Sequence, residues 1–377
     1  MATQGPIYRH ILVIGNGFDL QCGLKSRFSD FFEKTQLRQY SPYFFDLNNY
    51  SNIWYVLLFL AFYQNHSEIE KPTPEYTVIE ERDYVFDPQW MNVEEFIKTI
   101  MTKPCSYPNN SALSQAQSYL EALFLLQKNR NNADFMGNKK QARIIKNCFR
   151  SSGYFESIND FQTYLYMQLV AFENDFKTYL VKEIESESTY NEKAFNLANK
   201  ILPSFTNNCY VLNFNYTKPD VFSNNSKYVV NSIHGDLNGN VIIGFDGSDV
   251  VQNSIGGLQL SKSWQKMFVG NEQSALPKNK QYLESIIFYG HSLGEEDYSY
   301  FHALFDYYDI FSSNVRLVFC YSEYSSQFET ADSIKAKYVS KIQNLLNKYV
   351  ISTEKEKNNK TIVSKLQLEN RISVVKI

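Results

Sequence analysis

Residues 11–14, "ILVI", run without interruption into Gly15-Asn16-Gly17, after which Phe18, Leu20, Leu24 and Phe28 recur at helical spacing. This order of apolar strand, glycine turn and helix constrains the fold more than any other stretch, because a strand apolar on both faces must be covered on both. The chain has only 15 glycines in 377 residues, so two within one turn are informative. Glycine lets a backbone approach a ligand closely, and amides at a helix start attract an anion. The turn is therefore a candidate phosphate cradle walled by Gly15, Asn16, Gly17, Phe18 and Asp19. It departs from the common dinucleotide fingerprint, GxGxxG, which needs glycine where Leu20 stands. Asp19 lies in the first helical turn, where it either caps the helix or meets a ribose hydroxyl.

Further β-rich runs occupy residues 210–214, 228–233, 241–245, 285–289, 315–321 and 371–377, and several are almost wholly apolar ("SIIFY", "VRLVFCY"). The pattern predicts an α/β fold: a Rossmann-like, mostly parallel sheet with helices on both faces. Residues 36–205 carry almost no strand signal but long periodic segments at 91–101, 113–128 and 156–185. They read as a large helical insertion after the first strand-helix unit, leaving 1–35 and 206–377 as the core. Mixed charges and prolines mark loops at 65–89 and 353–361. The apolar run at 53–63, "IWYVLLFLAFY", is too short to span a bilayer and predicts a helix buried on all sides.

Three later segments share one design, a polar group at the end of an apolar strand. In "YVLNFNYT", Asn213, Asn215 and Thr217 alternate; in "YVVNSIHGDLNG", His234 precedes Gly235; in "SIIFYGHSLGEEDYSYF", Gly290, His291 and Ser292 follow the strand and Asp297 ends an acidic helix start. The carboxyl edge of a parallel sheet is where such folds bind ligands, so the four segments are expected to converge there. Taken singly, each also has a structural reading: asparagines satisfying a turn, a strand-end histidine, acids complementing a helix dipole.

Composition narrows the chemistry. A net charge of −3 argues against a general grip on nucleic acid. The five scattered cysteines contain no CxxC pair, so no disulfide framework or structural zinc site is expected, and a cytoplasmic setting fits. No signal peptide and no transmembrane segment are read from the chain. Neither GxxxxGK[ST] nor HExxH occurs, no metal is expected, and nuclease chemistry finds no acid cluster beyond residues 295–297. "GHSLG" does match the nucleophile elbow GxSxG, which raises a serine hydrolase using Ser292. In that fold the base normally follows the serine in chain order, and here only His302, ten residues on, does so.

Taken together, "ILVIGNGFDLQCGLKSRFSDFF", "WMNVEEFI", "NFNYT", "IHG" and "FYGHSLGEEDYSYF" resemble the bacteriophage abortive-infection AbiH family. The resemblance implies a role in defence against phage, without naming a reaction or a phage trigger. More distantly, the set is similar to the sirtuin-like superfamily, whose GAG-x-S-x-x-x-G-[IL] turn, Asn-bearing strand end, His-Gly pair and G-x-S-L turn are met by Gly15, Gly17, Gly23 and Leu24, by Asn215, by His234 and Gly235, and by Gly290, Ser292 and Leu293. Asn16 and Asp19 replace an alanine and a serine, Thr217 stands where aspartate is common, and the zinc-binding CxxC pairs of the deacetylases are absent. The NAD-hydrolysing defence effectors of that superfamily also lack the zinc module and are the closer comparison. The likeness implies NAD as ligand or substrate, with His234 as base or hydroxyl acceptor and Asn215 orienting water or a ribose hydroxyl. Gly15 to Asp19, Gly23, Asn213, Gly290, His291, Ser292 and Asp297 would line the nucleotide pocket, and Glu94 would be an additional acid on the nicotinamide side. The competing reading is a non-catalytic sensor or scaffold that binds NAD or ADP-ribose, its helical insertion making homo-oligomer or partner contacts.

Overall fold

The structure is a computed structural model that describes residues 6–35, 52–65, 84–86, 93–102, 157–202, 208–223, 225–245, 257–270, 276–323, 330–352 and 362–377. The expected helix at 113–128 and loop at 353–361, with His66, Cys105 and Cys148, lie outside the described residues. The chain divides into two compact units, one comprising residues 1–26, 177–241 and 270–377 and the other 27–176 and 242–269.

The first unit holds a six-stranded sheet. Its strands are β1 (His10–Ile14), β4 (Cys209–Asn213), β5 (Tyr228–Ser232), β6 (Ser285–Tyr289), β7 (Arg316–Tyr321) and β8 (Ile372–Lys376), in the order β5-β4-β1-β6-β7-β8. All neighbours pair in parallel. Numbered among themselves along the chain, these strands lie 3-2-1-4-5-6, the doubly wound Rossmann order, and the succession reverses between β1 and β6. The expected α/β fold with a parallel sheet is thus present.

Side-chain alternation builds two cores. Ile11, Val13, Tyr210, Leu212, Ile286, Phe288, Leu317 and Phe319 face helices Tyr298–Tyr307, Ala331–Ser352 and Ile362–Leu368. Leu12, Ile14, Val211, Ile287 and Tyr289 face the other way, onto Phe18 and onto Tyr190, Ala194, Leu197, Ala198 and Ile201 of helix Tyr190–Ile201. Double cover explains why β1, β4 and β6 are buried throughout, whereas edge strand β8 is largely half-buried or exposed.

Residues 241–245 differ from expectation. They form no strand of the sheet and make only isolated bridges, Gly235 to Val241 and Phe245 to Ser261. Side chains replace a neighbouring strand here: Ile243 N–H donates to the Glu173 carboxylate at 2.7 Å, and Gln265 Nε2 donates to Ile243 O at 2.9 Å. The apolar run reflects burial without a ladder. In the second unit, a short antiparallel pair, β2 (Tyr63–Asn65) and β3 (Tyr84–Phe86), also falls where a helical insertion and loop were expected. Three-residue strands are too short to show a period. A helix, Ile53–Phe62, forms within the expected 53–63 stretch; of its side chains, Ile53, Trp54, Tyr55, Leu57 and Leu58 are buried, and Trp54 Nε1 donates to Leu165 O at 3.0 Å.

Phe288 is fully buried and stacks on Phe319 with centroids 4.7 Å apart. Phe288→Ala is expected to lower unfolding stability by about 3–5 kcal/mol in a urea titration. A loss below about 1 kcal/mol would contradict this packing.

Candidate functional site

The site is built where β1 and β6 end side by side. Gly15 N–H donates to Tyr289 O at 3.1 Å, Gly17 N–H donates to Gly290 O at 2.7 Å, and Phe18 N–H turns back to Gly15 O at 2.8 Å. The two turns touch backbone to backbone. A Cβ on Gly15 would lie 2.5 Å from His291 Cα, and one on Gly290, whose φ is +68°, would lie 2.4 Å from Phe18 N. The glycines are therefore required by this contact, and the Gly17 amide is engaged by the chain itself. Phe18 fills the core between Phe222 and Tyr289. Asn16 is exposed, its side-chain oxygen accepting from Ser26 Oγ. Gly23, at φ +88°, closes the short helix Gly17–Gln21 with its amide on Leu20 O.

Next to β1, the end of β4 carries the asparagines. Asn213 organises the turn, its Oδ1 accepting from Asn215 N–H at 3.0 Å and its Nδ2 donating to Thr217 O at 2.7 Å. Asn215 is different. Its side chain is 4% exposed, yet both Oδ1 and Nδ2 are buried without a hydrogen-bond partner among the described residues. Leaving such an amide unpaired costs about 1–3 kcal/mol, and buried amides are nearly always satisfied.

β5 and β6 contribute the histidines. The register pairs Asn213 with Ser232, so Asn215 and His234 each stand two residues past the last paired position. His234 Nε2 lies 3.0 Å from Asp297 Oδ1, and His291 Nε2 lies 3.3 Å from Asp297 Oδ2; all three residues are buried. Phe214 meets both imidazoles edge-on, 5.4 Å from His234 and 4.8 Å from His291 by ring centroids. Leu293 N–H donates to His291 Nδ1 at 2.9 Å, from a backbone held at φ +53°. The result is a carboxylate-oriented imidazole and an unsatisfied amide at corresponding positions past neighbouring strands, groups suited to holding a hydroxyl or water and handling its proton.

Asp19 lies beneath this edge. Both its oxygens are used: Tyr190 OH donates to Oδ1 at 2.7 Å and Thr217 Oγ1 donates to Oδ2. Burial pushes its carboxyl up to about 6, against the lowering effect of those two donors.

With this geometry in place, comparison with known families is decisive: residues 11–321 match the description "Bacteriophage abortive infection AbiH". The chain belongs to the AbiH family. Membership places it in phage abortive infection. No curated protein and no solved structure matches this AbiH chain. The matched span takes in all four strand ends of the site.

Two further expected site residues of the AbiH chain have these surroundings. Ser292 is exposed and makes no hydrogen bond to a histidine among the described residues, so no nucleophile–base pair is formed there. Glu94 belongs to the second unit, where Lys262 Nζ donates to its Oε2 at 2.7 Å and both side chains are buried. Sequence reasoning missed Tyr190 and Phe214. Tyr190 meets Asp19 across 171 positions of chain, with no local signal. Phe214 alternates with the asparagines and was legible only as a core residue. Among the described residues no group of three His, Cys, Asp or Glu side chains could hold a metal ion, and no helix is long and apolar enough to cross a membrane.

Two outcomes follow for the AbiH chain. Gly290→Ala must push backbone apart at φ +68° and is expected to lower Tm and disturb the β1–β6 junction together. A wild-type Tm would contradict the contact. Asp19, with a folded pKa of about 6 above its ordinary 3.8, binds its proton more tightly when folded. Its burial therefore costs most above pH 6 and is relieved as pH falls towards 4. Relative to Asp19→Asn, wild-type stability should rise by about 1 kcal/mol between pH 7 and pH 5 in chemical denaturation, and parallel pH profiles would contradict the buried charge.

Proposed function

We propose that this AbiH protein binds NAD at the carboxyl edge of its sheet and hydrolyses the bond between nicotinamide and ribose. The observation that carries the reading is Asn215: a buried amide, both ends unpaired among the described residues, at the end of the strand next to the one that leads to His234 and its Asp297 contact. A bound polyhydroxyl ligand would supply the missing partners. The Rossmann strand order and the likeness of Gly15, Gly17, Gly23, Asn215, His234, Gly235, Gly290 and Ser292 to the sirtuin-like pattern support a nucleotide over other small molecules.

The chemistry asks little of the protein. The C1–N bond breaks with its electron pair passing to the pyridinium nitrogen, so nicotinamide leaves as a neutral ring and needs no acid. Positive charge develops on the ribose as an oxocarbenium-like centre. Water then adds to C1 and loses one proton, giving ADP-ribose. Asn215 would hold the ribose hydroxyl or the water in line, and His234, oriented by Asp297, would accept the proton. The packed Gly15–Gly17 and Gly290–Ser292 turns form a floor for pyrophosphate and ribose, with Ser292 Oγ as an exposed donor.

Incubation of the full chain with NAD, alone and with extract of phage-infected cells, followed by chromatography, tests the reading. Equal amounts of nicotinamide and ADP-ribose are expected, with His234→Ala and Asn215→Ala slower by about 100-fold while keeping wild-type circular dichroism. NAD binding without nicotinamide release would overturn cleavage and leave a sensor. Absence of NAD and ADP-ribose binding would overturn both.

A further inference from the structure

The hydrogen-bond polarity around Asp297 follows from two groups that each act in one direction, the Leu293 amide as a donor and the ionised Asp297 carboxylate as an acceptor. The Leu293 amide is a donor, and it donates to His291 Nδ1 at 2.9 Å. That nitrogen therefore carries no proton, and the proton of the neutral His291 ring sits on Nε2, which faces Asp297 Oδ2 at 3.3 Å. An ionised Asp297 accepts only, so the 3.0 Å contact at its Oδ1 must be donated by His234 Nε2. Three ring contacts hold the imidazoles in this orientation: Phe214 edge-on to both, and Phe301 edge-on to His291 at 4.9 Å.

We infer that Asp297 is a positioning residue whose carboxylate, accepting at Oδ1 while His291 faces Oδ2, holds His234 in the Nε2–H tautomer and makes Nδ1 the basic nitrogen. This rests on the proposed hydrolysis for its purpose and on the geometry alone for the tautomer. It assigns separate tasks to residues that sequence reasoning grouped as pocket lining. Asp297 acts through His234, His291 faces the other Asp297 oxygen, and Leu293, at φ +53°, donates its amide to His291. Asn at position 297 would reverse the polarity. Its oxygen must accept from His291 Nε2–H, which turns its NH2 group towards His234 Nε2 and favours the Nδ1–H form.

The experiment is ¹⁵N NMR of the full chain labelled at its five histidines, with His234→Gln and His291→Gln spectra assigning the rings. Wild type is expected to show both His234 and His291 as Nε2–H tautomers. Asp297→Asn is expected to convert His234 to Nδ1–H and to lower kcat for nicotinamide release about 100-fold with little change in KM for NAD. Asp297→Glu, which keeps an acceptor, should retain the Nε2–H form. A wild-type His234 protonated at Nδ1 overturns the inference even if the variants fail to fold. So does an Asp297→Asn enzyme with unchanged tautomer and kcat. If wild type shows the expected tautomers but releases no nicotinamide, the hydrolysis reading falls and the tautomer assignment stands.

Discussion

The contact on which the site depends is the backbone approach of the β1 turn to the β6 turn, Gly17 N–H to Gly290 O at 2.7 Å. These strands are neighbours because the sheet reverses its winding between them, and their loops depart on either side of that point. Side chains at Gly15 or Gly290 would hold the turns apart. With them together, His291 is set beside Asp297, Asp297 reaches His234, and Phe214 from β4 meets both imidazoles. The glycine turn thus works first as a structural joint. Any ligand would rest on a surface that this joint has already closed.

Around the joint, polar groups fall into two kinds. Asp19, Asn213 and His291 have their hydrogen-bonding capacity taken up by Tyr190, Thr217, Asn215 N–H and Leu293 N–H. They order the edge. The Asn215 side chain has no such support among the described residues, and the free-energy cost of an unpaired amide is retained in the folded chain. An unsatisfied group inside an otherwise satisfied network is what a binding site prepared for a polyhydroxyl ligand requires. Burial pushes the Cys22 thiol, and that of Cys209 at the far end of β4, up to about 12, as expected of core cysteines.

Much of the sheet was legible in the chain because doubly covered strands must be continuously apolar, as residues 11–14 and 285–289 are. The same signal misled at 241–245, where burial is served by Glu173 and Gln265 side chains in place of a partner strand. No local pattern distinguishes those two situations. The convergence of four polar strand ends was readable from a parallel sheet, but their division of labour was not. Glu295, Glu296 and Asp297 look alike in sequence, yet Glu295 is exposed and paired with Lys348 while Asp297 turns inward to two histidines. Tyr190 was illegible for the same reason: its partner, Asp19, is near only in the fold.

The central claim is that the edge around Asn215 receives a nucleotide. A crystal structure of the full chain with NAD, or with ADP-ribose after turnover, tests it most directly. The account predicts ligand hydroxyl or carbonyl oxygens within about 3 Å of both Asn215 Oδ1 and Nδ2, beside an unbroken His234–Asp297 pair. A nucleotide bound elsewhere, with the Asn215 amide still unpaired, would contradict it.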